Sequence, residues 1–159
     1  MPKKWFVTGI KINNSYYNEG KRVLRQKLDH VLSNIDKYLN SHDVEDLHQL
    51  RISIRRLRYP LEIFINFFPK KMFWDFYNKI NKLQDSTGHG RDLDVMILRL
   101  SKFQDEYNIK LPQELFDNLK NQREQYYSEI DAELIELLQD PILEEVKELI
   151  DYNRFVKHK

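Results

Sequence analysis

One short segment of this 159-residue sequence concentrates the side chains best suited to bind an anion. It contains His48, Arg51, Arg55 and Arg58, with Arg56 among them. At about 100° per residue, the first four positions fall within an arc of roughly 80° on one side of a helix, and Arg56 lies about 80° beyond His48. The planar guanidinium group suits two-point contact with phosphate oxygens. The segment therefore predicts a basic helix face, with Arg56 as a secondary member.

A row of like charges destabilises a helix by a few tenths of a kcal/mol per pair, so something anionic is expected against it. Carboxylates of neighbouring helices could fill this role, and so could an external polyanion. The spacing alone leaves both readings open.

The glycine-rich stretch 86–90, with Gly88 and Gly90, provides a second candidate element. Glycine favours turns, so we expect a turn here and a new helix that begins at Arg91, where free amide groups attract anions. Arg91 would lie beside such an anion, although an ion pair with a nearby aspartate is the simpler role. Lys82, on the preceding helix, would complete a cleft with the basic face.

The elements that hold these residues are predicted to be helices. With 4 Gly and 5 Pro there are few turn signals, and apolar residues recur every three or four positions. We expect an all-α fold in a single domain, an antiparallel helical bundle of four core helices plus additional C-terminal helices. An N-terminal arm covers 1–14, the core bundle 16–107 and the acidic C-terminal helices 112–159. Within the core we expect helices near 16–39, 44–68 (kinked at Pro60), 71–85 and 91–107, followed by helices near 112–138 and from 141 through Phe155.

Charge divides the chain into two parts. Residues 1–110 contain 20 Lys and Arg against 13 Asp and Glu, whereas residues 111–159 contain 6 against 12. The basic part could attract an anionic partner, or the two parts could pair with each other.

Several other chemistries are disfavoured. The chain has no Cys, which excludes disulfides and thiolate chemistry. His48 has no second His at helical spacing, and the acidic positions Asp85, Asp92 and Asp94 are weak evidence for a cation site. We expect the phenylalanines to be core residues rather than base-stacking platforms. No signal peptide or membrane span is recognised, so we expect a cytoplasmic protein. Since no metal-ligand spacing is found, we also expect no metal or cofactor.

Two motifs resemble the CHAD family, the conserved-histidine α-helical domain proteins. The first is His48-Gln49-Leu50-Arg51 followed by Arg55-Arg56-Leu57-Arg58, and the second is Gly88 followed by Arg91-Asp92-Leu93-Asp94-Val95. The resemblance covers about residues 44–100. It implies a helical domain that binds inorganic polyphosphate and does not catalyse a reaction. The candidate binding residues are His48, Arg51, Arg55, Arg56, Arg58, Lys82 and Arg91, where Lys82 is added from its place on the polar side of its helix and not from the motifs.

The chain departs from that family in one respect. Members usually contain two related bundles, each with a basic helix, whereas this chain has one such helix. We therefore expect two chains to form a symmetric homodimer. Two other functions stay open: a nucleic-acid-binding helical protein, since the same face attracts any phosphate backbone, and a metal-dependent phosphohydrolase using His48 and the aspartates.

Overall fold

A computed structural model describes residues 7–10 and 15–151 of the chain. These residues form five α-helices: α1 (Tyr16–Ser41), α2 (Val44–Ile63), α3 (Lys70–Tyr107), α4 (Gln113–Gln139) and α5 (Pro141–Ile150). A short 3₁₀ turn, Ile65–Phe67, lies between α2 and α3, and no strand occurs in the described ranges. The expectation of an all-α helical bundle is confirmed. Most of the expected N-terminal arm, and Phe155 of the last expected helix, lie outside the described residues.

The helix starts follow local side-chain chemistry. Asp43 is the N-cap of α2, and its carboxylate accepts a hydrogen bond from the Glu45 amide at 2.7 Å. Asp140 caps α5 in the same way, with 2.9 Å to the Ile142 amide. Pro60 is buried inside α2 and does not divide it; the helix continues to Ile63. The C-terminal end of α2 therefore comes earlier than the spacing predicted.

The core is shared by all five helices. Its apolar side chains include Leu28 and Ile35 of α1; Leu50, Ile54 and Leu57 of α2; Phe76, Ile80 and Leu83 of α3; Ile130 and Leu134 of α4; and Leu143 and Val146 of α5. The C-terminal helices are thus part of the core rather than an addition to a finished bundle. Phe73 and Phe76 are buried and Phe64 and Phe67 pack against the core, as expected of core aromatics.

The expected turn at 86–90 is wrong, because α3 runs unbroken from Lys70 to Tyr107. Ser86 and Thr87 donate hydroxyl hydrogen bonds back to carbonyls of the preceding turn, which satisfies them inside a helix. Gly90 serves packing instead of a turn: a Cβ there would lie 3.0 Å from Cδ1 of Ile130 and 3.5 Å from Cδ2 of Leu47. Glycine lets α2, α3 and α4 approach closely at this point.

This continuous helix also removes the expected helix start at Arg91. Residue 91 lies in the middle of α3, where its backbone amide bonds within the helix and cannot bind a ligand. Any role of Arg91 in a site must therefore come from its side chain.

Candidate functional site

The basic face of α2 follows directly from how that helix is buried. Leu47, Leu50, Ile54, Leu57 and Leu61 are all buried and form the stripe that faces the core. His48, Arg51, Arg55 and Arg58 occupy the neighbouring stripe, about 100° around the helix. Over the ten residues from His48 to Arg58 this row extends roughly 15 Å. The predicted basic face is therefore a real stripe of the folded helix.

Contacts between α2 and α3 place this row along a groove. Arg58 donates a hydrogen bond from Nη1 to Oδ1 of Asn81 at 3.2 Å, and the guanidinium of Arg51 lies against Gly88. Further along, Leu47 lies next to Gly90. The two helices are antiparallel, so His48 lies nearest the turn of α3 that carries Arg91. We call this the α2–α3 groove.

The inner α3 wall of the groove carries no negative charge. Its positions are Asn81, Gln84, Gly88 and Arg91, which follow one another at helical spacing. Gly88 contributes no side chain, so the guanidinium of Arg51 packs directly against the α3 backbone there. Among the described residues, Oε1 of Gln84 is buried without a hydrogen-bond partner. Asp85 and Asp92 are exposed at the outer edge of this wall, and among the described residues neither forms an ion pair with the row.

Carboxylates of the protein neutralise little of the row. Among the described residues, Arg58 is the member of the row that forms an ion pair, at 3.0 Å from its Nε to Oε1 of Glu62 on the same helix. Arg51 and Arg55 have no such partner within the described ranges. Nδ1 of His48 and Nε of Arg51 are buried and make no hydrogen bond to the described residues. Buried polar atoms are normally satisfied, so these two nitrogens mark where the row lacks internal hydrogen-bond partners.

Arg56 lies on the other flank of α2, toward α1. Burial, followed by the charge of Arg56, lowers the pKa of Lys27 on α1. Lys27 thus extends the positive surface across to α1. Lys27 could not be identified from the sequence, because its position beside Arg56 depends on the antiparallel packing of α1 and α2.

Lys82 does not join the α2–α3 groove. It lies on the side of α3 that faces α4, with Nζ at 3.3 Å from Oε1 of Glu133. On the helix, Lys82 is about 180° from Arg91. The sequence prediction placed it by nearness to Gly88 along the chain, and the helix phase separates the two residues.

Asp94 belongs to a structural network rather than to a cation site. It is buried, it accepts a hydrogen bond from Nε of Arg123 at 2.6 Å, and it accepts a second from the Tyr127 hydroxyl at 2.8 Å. Arg91 is more distant, at 4.0 Å from Nη1 to Oδ2. Burial raises the pKa of Tyr127 to about 12, and the bond it donates to Asp94 adds to the rise. The side chain of Arg91 therefore forms only a weak ion pair with Asp94, and it lies on the side of α3 that faces the groove.

No cluster of three His, Asp or Glu side chains in the described part of the chain is arranged to hold a metal ion. His89 is exposed and its ring lies 5.4 Å from that of Tyr126, away from the groove. The geometry combines fixed positive charge, buried nitrogens without a hydrogen-bond partner among the described residues, and a groove between two helices. An arrangement of this kind is chemically suited to contact an elongated anion at several points along its length.

A comparison with protein families gives a match over nearly the whole chain. The model of the CHAD domain matches residues 22–158. The chain belongs to the CHAD domain family. The match extends well beyond the two motifs, because it includes α1, α4 and α5. No curated protein and no solved structure matches the chain. Within this CHAD domain, both motifs meet at the α2–α3 groove.

Proposed function

We propose that this CHAD domain binds inorganic polyphosphate in the α2–α3 groove, without catalysing a reaction. The main contacts come from His48, Arg51 and Arg55, with Arg58 and Arg91 at the two ends. Arg56 and Lys27 add positive potential from the α1 side. Lys82 is left out of the site, because its ammonium group pairs with Glu133.

The observation that carries the proposal is the missing internal counter-charge. If the row were structural, carboxylates of α1 or α3 would face it, and the inner α3 wall instead presents Asn81, Gln84 and Gly88. Arg51 keeps a buried Nε without a hydrogen-bond partner among the described residues, which is costly, and an external polyanion is the simplest complement to the charge of the row. A polymer with an anionic group in every unit matches a row of regularly spaced cations.

The positions and hydrogen bonds of the acidic residues favour binding without catalysis. A metal-dependent phosphohydrolase would need carboxylates free to hold the ion near His48. Asp94 already accepts hydrogen bonds from Arg123 and Tyr127. None of the other inner positions of the groove is acidic, apart from Glu62 at its end.

Competition between polyanions tests the ligand class. A fluorescent polyphosphate is bound first, and unlabelled polyphosphate or single-stranded DNA of equal charge is then added. We expect polyphosphate to compete better, because compact repeated phosphates can enter the groove and bulky nucleotides cannot. A stronger effect of the nucleic acid would favour the nucleic-acid-binding alternative and contradict the proposal.

A pair of charge-matched variants tests the site. Arg55→Ala should lower the affinity and reduce the slope of log K against log salt by on the order of 0.7 to 0.9. Lys37→Ala removes the same charge from an exposed position of α1 and should leave that slope nearly unchanged. Equal effects of the two variants would mean that binding is a general charge effect and that the groove is not the site. Phosphate release with added Mg²⁺, lost in His48→Ala, would show an enzyme instead.

A further inference from the structure

The far halves of α3 and α4 form an antiparallel hairpin that extends past the rest of the bundle. α2 starts at Val44 and reaches α3 near Gly90, so residues 95–107 of α3 continue for about 20 Å without α2 beside them. Asp94 is the last buried residue of α3, and α4 buries only Phe116 and Leu119 before Ile130. Among the described residues, the hairpin is therefore a two-helix layer without a covering layer.

One side of this hairpin is apolar on both helices. On α3 the residues follow heptad spacing, and on α4 they continue the same surface: Leu93, Met96, Leu100, Phe103 and Tyr107, then Leu115, Leu119 and Tyr126. The ring contact between His89 and Tyr126 shows that the two stripes lie on the same side. We call this set the hairpin face.

The hairpin face differs from the rest of the same surface, because within the bundle this side of α3 and α4 carries charged side chains. There, Lys82 pairs with Glu133 and Lys79 pairs with Glu136. These ion pairs end before Leu93, and apolar side chains replace them. Such a change from charged to apolar along one exposed side is typical of a protein contact surface.

The exposed apolar area suits a dimer of moderate size. Met96 is 48% exposed, Phe103 43%, Tyr107 58% and Leu115 38%. With roughly 200 Å² for a large side chain, these four expose about 400 Å² per chain. Two such faces would bury about 800 Å² of apolar surface. Because apolar atoms supply roughly 65% of a homodimer interface, the total buried area would be about 1,200 Å². That total lies at the lower limit of stable interfaces.

We propose that the hairpin face is the contact surface of a symmetric homodimer, in which two hairpins complete a four-helix bundle. No residue of the face is charged, and Asp92, Arg99 and Glu106 border it with both signs, so self-contact buries no unpaired charge. The same patch on both copies forms a closed assembly. The face is centred about 160° around α3 from Arg91 and about 100° from Gly88, and it lies further along the helix, so both grooves stay open.

The test is the oligomeric state of the full chain by sedimentation equilibrium across the micromolar range. Wild type should have twice the 19.5 kDa chain mass, and Phe103→Glu should have the mass of one chain. Leu98→Glu is the matched control: Leu98 is 52% exposed on the same helix, on the other side, and this variant should stay dimeric. Circular dichroism should show equal helix content in all three.

Cross-linking gives a second measurement, because the chain contains no Cys. Met96→Cys should cross-link two chains with a short bifunctional reagent, and Leu98→Cys should not. A monomeric wild type overturns the proposal, as does a Phe103→Glu variant that stays dimeric. Dissociation by Leu98→Glu would also overturn it, since the contact would then lie on the other side of α3.

Discussion

The guanidinium of Arg51 lies against the backbone of Gly88. A Cβ at position 88 would be 3.6 Å from Nε and 3.8 Å from Nη2 of Arg51, which is ordinary contact. The absence of a side chain at Gly88 lets the buried Nε of Arg51 pack against the backbone of α3. The glycine therefore shapes a groove inside a continuous helix rather than a turn.

Enlarging Gly88 should separate stability from binding. Gly88→Ala adds a methyl group that fits, and helix propensity should raise the free energy of unfolding by up to about 1 kcal/mol. Gly88→Leu must displace the Arg51 side chain and fill the groove, so polyphosphate affinity should fall several-fold while the helix still forms. Urea unfolding and titration with fluorescent polyphosphate measure the two effects. If Gly88→Leu binds as tightly as wild type, the ligand does not enter the groove at this point.

Removing the carboxylate of Glu62, which pairs with the row within the described part of the chain, should strengthen binding. Glu62 lies 3.0 Å from Nε of Arg58 and accepts a hydrogen bond from the Tyr77 hydroxyl at 2.6 Å. Glu62→Gln keeps an acceptor for Tyr77 and frees Arg58 for the ligand. As an exposed ion pair contributes up to about 1 kcal/mol, affinity should rise by roughly two- to five-fold. Glu114→Gln, on the far end of α4, is the control and should leave the affinity nearly unchanged.

The parts of the site that were predicted correctly from the sequence are those for which the side of the helix that each residue occupies was assigned correctly. The basic row of α2 was identified, because its buried leucines and its arginines keep one phase through Pro60. The break in α3 was wrong, although Phe76, Ile80, Leu83, Thr87, Gly90 and Asp94 keep the 3-4 spacing of one buried stripe. Glycine was interpreted as a turn residue, when small size was what the close packing against Ile130 required.

Lys82 and Lys27 show what the sequence could not predict. Lys82 was wrongly placed in the cleft because a turn was expected at residues 86–90. In the continuous helix α3, Lys82 lies on the side that faces Glu133. The position of Lys27 beside Arg56 depends on which helices are neighbours and in what register. Helix phase is local information, whereas neighbouring helices are set by packing over the whole chain.

The motif residue Asp94 should matter for stability rather than for ligand binding. Asp94→Ala would leave the half-buried guanidinium of Arg123 and the hydroxyl of Tyr127 without their acceptor, at a cost of about 2 to 3 kcal/mol. Tyr127→Phe loses one hydrogen bond and should cost about 1 kcal/mol. The exposed neighbour Asp92 is the control, and Asp92→Ala should change unfolding by less than about 0.5 kcal/mol. A folded Asp94→Ala protein of unchanged stability that fails to bind would instead place Asp94 in the site.

The junction of α3 and α5 should make the protein sensitive to acid. Lys79 lies 2.8 Å from Oδ2 of Asp140, and its hydrogen bond, followed by that from the Ile142 amide, lowers the pKa of Asp140. Since the pKa is lower in the folded chain, the stabilisation is fully present above the unfolded value of about 3.9 and is lost as the pH falls through the folded value. Asp140→Asn keeps an N-cap acceptor and removes the charge.

This variant should therefore be less stable than wild type at pH 7, and the difference should shrink at a pH below the ordinary aspartate range. Urea unfolding at both pH values measures it. Glu144→Gln removes an exposed carboxylate from the same helix, outside this cluster, and should alter stability little at either pH. A difference between wild type and Asp140→Asn that stays constant with pH would mean that the ionised Asp140 does not hold α5 against Lys79.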